Sequence, residues 1–294
     1  MARLKINIGP SINRLDLAIK GNTNSKFMGN YASVFKGQGL EFEDFRAFSP
    51  DDDASKIDWK TSARSDKILV KEFIEERNID VFFLVDVSSK MMLGSVKRLK
   101  AEYVADLVAS LSYVILNAGD RVGLTLFSDV IKKVVHPEIG AKHFYTISNT
   151  LSNLGYYGGD CNIKNVTDFV IRSQKKGSVV FLISDFIVEE NLEKSLGFVG
   201  HKFDFVSIIV RDPIDLKLPL GIGQVMIEDP SYGEKLLVSP KSVEKEYSIE
   251  VNAQLKKIKR EFARSNVDFI ELNTKTSFVK GLVEFFEKRK KRWR

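Results

Sequence analysis

The chain has 294 residues, 44% hydrophobic and 29% charged, which excludes disorder, a collagen-like repeat and a coiled coil and leaves ample apolar material for a core. Basic residues outnumber acidic ones by 45 to 39, but Lys288, Arg289, Lys290, Lys291, Arg292 and Arg294 carry that whole excess, so residues 1–287 balance at zero. A neutral body argues against a broad nucleic-acid-binding face, because affinity for phosphates scales with the charges neutralised.

Residues 1–79 are rich in charges and scattered aromatics, with the pair Gly37/Gly39, and read as an extended β-rich appendage whose clearest strand is Lys67 to Phe73. From Asp80 to the end, residues 80–294 alternate β-branched and aromatic runs with amphipathic stretches, the pattern of a parallel sheet covered by helices. Val81 to Val87 is a buried strand. Ser95 to Asn117 has apolar residues at helical spacing and stops at Ala118-Gly119-Asp120. Arg121 to Phe127 is a second strand, paired through Asp129 with Ile131 to Val135. Helices near Lys142–Leu151 and Lys164–Gln174 lead to a third buried strand, Ser178 to Ser184. A helix over Glu190–Phe198, strands Asp204–Val210 and Gln224–Glu228, a helix from Val243 to Ser265, a strand Val267–Leu272 and a helix from Ser277 complete the series. The predicted class is α/β, a doubly wound, mostly parallel open sheet, whose ligands bind outside the carboxyl ends of the strands.

Three polar loops fall at those ends: Asp86-Val87-Ser88-Ser89-Lys90, Gly158-Gly159-Asp160-Cys161 and Ser184-Asp185-Phe186. Carboxylates and hydroxyls meeting there suit a hard cation such as Mg²⁺ or Mn²⁺. The set resembles the metal-ion-dependent adhesion site of von Willebrand factor A domains, with Asp86, Ser88 and Asp185 matching its pattern. Two positions depart from it: Lys90 stands at the second serine and Asp160 at the threonine. Residues 86, 88 and 90 share one face of an extended segment. An ammonium ~4 Å from a cation costs about 4 kcal/mol per unit charge at a dielectric of ~20. Either Lys90 replaces the ion, pairing with Asp86, Asp160 or Asp185, or it swings outward while Asp160 strengthens a metal site. A third reading makes Asp86, Ser88 and Ser89 ordinary strand-end and helix-cap residues.

Upstream, Gly37-Gln38-Gly39-Leu40-Glu41-Phe42-Glu43-Asp44-Phe45-Arg46, the turn Ser49-Pro50-Asp51-Asp52-Asp53 and Ile57-Asp58-Trp59-Lys60-Thr61-Ser62-Ala63-Arg64 resemble the signature of the bacterial family called domain of unknown function 58. Arg211-Asp212-Pro213 and Leu218-Pro219 fit it as well. Asp51 departs from it, replacing the turn glycine. The resemblance implies a von Willebrand factor A-like domain after the signature, and a MoxR-type AAA+ ATPase as partner in a chaperone-like or assembly role. Physically, Arg46 and Arg64 face Asp51, Asp52, Asp53 and Asp58, with Phe45 and Trp59 as apolar anchors. That set fixes a turn, or else presents Arg46, Trp59, Arg64 and Lys90 to a partner, since tryptophan and arginine dominate interface hot spots.

No phosphate loop, zinc-protease helix or nucleophile elbow occurs, and Gly221-Ile222-Gly223 is not a dinucleotide fingerprint. Cys161 has no evident base beside it, and His136, His143 and His201 read as solvated or capping. The basic end, Lys288–Arg294, reads as a solvated helix terminus, the alternative being a surface for acidic lipid, RNA or a partner's acidic patch, for which Trp293 is the one feature that argues. No run approaches the ~18 apolar residues of a membrane span, and the expected setting is the cytoplasm. The expectation is a non-enzymatic interaction or adaptor module. The alternative is a metal-dependent hydrolase using Asp86, Asp160 and Asp185.

Overall fold

A computed structural model describes residues 3–4, 40–49, 52–65, 67–75, 79–188, 191–219, 223–228, 233 and 235–292. Gly37, Gly39, Asp51, Gly221 and Trp293 lie outside the described residues. The appendage holds two antiparallel strands, β1 (Leu40–Ala47) and β2 (Leu69–Glu75), with a register shift between Phe42 and Asp44. Between them Asp53 caps a 3-10 turn by accepting from Ser55 N, and Asp58 caps the one-turn helix α1 (Trp59–Ser62) by accepting from Thr61 N.

The main sheet contains β3 (Asp80–Asp86), β4 (Arg121–Phe127), β5 (Ile131–Glu138), β6 (Val179–Ser184), β7 (Asp204–Arg211) and, beyond a separate hairpin, β10 (Asp268–Asn273). The hairpin strands are β8 (Val225–Glu228) and β9 (Lys235–Val238). Across the six-stranded sheet the order is β10-β7-β6-β3-β4-β5, parallel except for β5. Counted along the chain this is 3-2-1-4-5-6, the doubly wound order, which reverses direction between β3 and β6.

Both faces are apolar because each central strand feeds two cores in alternation. Val81, Phe83 and Val85 enter one core and Phe82 and Leu84 the other; β6 does the same with Val179, Phe181 and Ile183 against Val180 and Leu182. Helices α2 (Lys100–Asn117), α3 (Ala141–Ser152) and α8 (Phe278–Arg292) cover the first face. Helices α4 (Ile163–Ser173), α5 (Glu193–Lys202) and α7 (Pro240–Arg264) cover the second, and the one-turn α6 (Pro213–Leu216) follows β7.

Several expectations need correction. Helix α2 starts at Lys100, not Ser95, because Ser95 gives both its amide and its hydroxyl to Asp212, while Glu102 reaches back to Leu99 N at 3.0 Å. The 224–228 strand does not join the main sheet; it pairs with β9, which the sequence reading missed. Helix α5 runs later than the predicted 190–198. His143 is buried rather than solvated, its Nε2 lying 2.6 Å from Val122 O. Within the basic end, Arg289 is also buried: it bridges Asp204 and, at 3.1 Å, Asp268, tying α8 to the amino ends of β7 and β10.

Candidate functional site

Open sheets bind ligands where the strand order reverses, and here that point lies between the carboxyl ends of β3 and β6. Asp86 ends β3 and Asp185 follows β6, so register alone sets them side by side. Each closes a local turn with its own backbone: Asp86 Oδ1 accepts from Ser88 N at 2.8 Å and Asp185 Oδ1 from Ile187 N at 3.0 Å. Ser184 Oγ donates to Asp86 Oδ2 at 2.6 Å and accepts from Phe186 N at 3.1 Å. Phe186 has a positive φ of 51°, a strained conformation for a bulky residue. Its ring is fully buried, edge-on to Phe262 at 5.2 Å.

The loop before α4 is pinned to the same edge. Gly158 N donates to Val87 O at 2.8 Å and Ser89 N to Gly159 O at 2.9 Å. Gly158 and Gly159 both have positive φ, and a Cβ on Gly159 would stand 2.6 Å from Asp129 Oδ1. This loop delivers Asp160, whose Oδ1 accepts from Cys161 N at 2.9 Å and lies 3.6 Å from Lys90 Nζ. Lys90 also donates to Ile187 O at 3.2 Å. Of the three carboxylates considered for Lys90, Asp160 is the one it reaches. The pair is accessible, at 23% and 45% side-chain exposure.

A different lysine neutralises the buried carboxylate. Lys100 Nζ, fully buried, donates to Asp185 Oδ2 at 2.7 Å and to Asp215 Oδ2 at 3.0 Å. Buried Arg211 sends Nη2 to Phe186 O at 3.5 Å. Burial alone would raise the Asp185 carboxyl, but the Lys100 charge, its hydrogen bond, the Ile187 amide and Arg211 hold it below the usual range. Burial would likewise lower Lys100, yet Asp185 and Asp215 keep it above its ordinary value. Asp86 moves the other way: burial first, then the Asp185 charge, push it up. Cys161 is buried 3.9 Å from Ser184 Oγ, and burial with Asp86 drives its thiol far up, so it stays protonated.

Sequence reasoning missed Lys100 and Asp215, and it named Ser184 and Arg211 only within a loop and a family motif, without a role at this site. A signal for Lys100 was present: it sits at the head of the stripe Lys100, Val104, Leu107, Leu111, where a core-facing helix wants an apolar residue.

A resident divalent ion does not fit this cluster as arranged. Ser88 Oγ is buried without a partner of good hydrogen-bond geometry, which would suit a ligand, and it sits close enough to help lower Asp86. However, all four oxygens of Asp86 and Asp185 already accept hydrogen bonds, one of them from a buried ammonium. Among the described residues Asp160 does not join Asp86 and Asp185 in a group of three carboxylates that could hold a metal.

The other expected interaction residues lie on the appendage. Arg46 clasps Asp52 through two bonds of 2.6 and 2.5 Å and is exposed. Arg64 is exposed. Phe45 is half-buried, whereas Trp59 is 67% exposed and so is no internal anchor. Among the described residues no helix is long and apolar enough to cross a membrane.

The chain is similar in sequence or structure to several known proteins. The uncharacterized protein Rv1480 of Mycobacterium tuberculosis and its Mycobacterium bovis counterpart Mb1516 are each 21% identical over 288 residues, covering 97% of this chain and 90% of theirs. Among solved structures, BatB from Bacteroides thetaiotaomicron overlaps with a TM-score of 0.49 at 13% identity, covering 73% of this chain and 100% of that one. The von Willebrand factor A domain of SpRpn10 overlaps with a TM-score of 0.37 at 10% identity, covering 72% and 95%. Residues 44–257, spanning appendage and main sheet alike, match the family described as protein of unknown function DUF58, and the chain belongs to that family.

Proposed function

We propose that the protein is a non-enzymatic adaptor of the cytoplasm whose carboxyl sheet edge docks an acidic group of a protein partner, a MoxR-type AAA+ ATPase. One observation carries this reading: at the switch point the charges of Lys90 and Asp160 are accessible, while Asp86, Ser88 and Asp185 are buried. A half-exposed ion pair is weak, so a partner carboxylate can take Lys90 from Asp160 at small cost. Exposed Trp59 and the nearby arginines add a second contact of hot-spot chemistry.

The same burial counts against the hydrolase alternative, which needs Asp86 and Asp185 to meet a substrate. A groove of about 560 Å³ does exist, but it lies along β10 between α7 and α8, lined by Phe262, Ile270, Phe285 and Lys288, away from these carboxylates.

Affinity capture on the full chain, with the retained ATPase identified by mass spectrometry, tests the reading. Wild type is expected to retain a MoxR-type ATPase, and Lys90→Glu to lose most of it. Turnover of a phosphoester panel that Asp86→Asn abolishes, or ATPase retention indifferent to Lys90→Glu and Trp59→Ala, would overturn it.

A further inference from the structure

We propose that Lys100 is a fixed, covalently attached counter-ion that holds the place of a divalent cation at this edge, so that the docking surface is set permanently and does not respond to Mg²⁺ or Mn²⁺. The inference draws on the adaptor reading only for its functional consequence.

The geometry carries it. An exchangeable ion in such an edge joins loops by accepting ligands from several of them. Here one ammonium does so: it belongs to the first residue of α2, and it reaches Asp185 after β6 and Asp215 in α6 after β7. Asp212 reinforces the same junction, accepting from Ser95 N at 3.0 Å, from Ile214 N at 3.1 Å and from Thr274 Oγ1 at 2.8 Å. A divalent ion on Asp185 would have to expel Lys100 from a site with no exposure and would leave Asp215 without its ammonium. Arg211 would remain as a second buried positive charge beside it. Both cations repel the incoming ion, and in a dry site that repulsion is poorly screened. Lys90 has a different role under this assignment: it is partly exposed and paired with Asp160, so it faces the partner rather than the buried carboxylates.

The test uses Mn²⁺ alone, titrated into the full chain at neutral pH and followed by loss of the free-ion electron paramagnetic resonance signal. Wild type and Lys90→Ser are expected to take up no more Mn²⁺ than Asp86→Asn. Lys100→Met is expected to bind one equivalent roughly tenfold or more tighter than wild type. A wild-type equivalent lost on Ser88→Ala, or a folded Lys100→Met with no gain in uptake, would overturn the proposal. If Lys100→Met does not fold, the wild-type titration decides alone. Failure to capture an ATPase sinks the adaptor reading and leaves this result standing, so the two failures are distinguishable.

Discussion

At the residue scale the site is a pair of neighbouring carboxyls driven apart. Asp185 has a folded pKa below its unfolded one, so its stabilising contribution is complete above the ordinary carboxylate range and is lost as pH falls through the folded value. Asp86 has a raised folded pKa, so its cost appears as pH rises through that value. Urea unfolding across acid to neutral pH should therefore separate the two. Asp185→Asn loses stability most at neutral pH, whereas Asp86→Asn gains relative to wild type as pH rises; parallel profiles would contradict the assignment. Lys100→Met should cost about 3–5 kcal/mol at neutral pH, because it strands a buried carboxylate. The deficit should shrink as acid protonates Asp185. Asp86 and Asp185 drew attention in the sequence because strand ends advertise themselves by where an apolar run stops, whereas Asp160, in the loop before α4, has no such signal. Lys100 was harder to find, because a lysine on a helix reads as surface until its position on the apolar stripe is counted.

At the element scale, the strands that bury a full face were read nearly to the residue, since period and burial agree in β3, β4, β6 and β7. What escaped was decided by contacts distant in sequence. The start of α2 depends on Ser95 meeting Asp212, 117 residues away. Strand β9 carries exposed Leu236 and Leu237 and lacks the one-sided pattern that reveals a strand, so the pairing of β8 went unread although β8 itself was expected. The loop before α4 makes the sharper prediction. Gly159→Ala would place a Cβ against Asp129 at a positive φ, costing about 1–3 kcal/mol and loosening the bond to Ser89. Faster amide exchange at Ser89 in the variant would show it; unchanged exchange and stability would count against the close approach.

At the scale of the whole molecule, the charge excess that looked like a detached tail is partly structural. Arg289→Ala should destabilise by on the order of 3 kcal/mol, since it leaves Asp204 and Asp268 adjacent without their shared cation. Exposed Lys291→Ala should change stability by no more than about 0.5 kcal/mol. Equal thermal shifts would return the whole run to solvent. The fold class was legible because alternating elements admit few sheet topologies; the strand order was not, because periodicity carries no information about which neighbours pair. The central claim concerns the edge that this order creates, a docking surface whose cation is built in. Retention of the MoxR-type ATPase, measured with EDTA and again with excess Mg²⁺, tests that claim most directly. Equal retention in both, abolished by Lys90→Glu, is the predicted result, and retention lost in EDTA and restored by Mg²⁺ would contradict it.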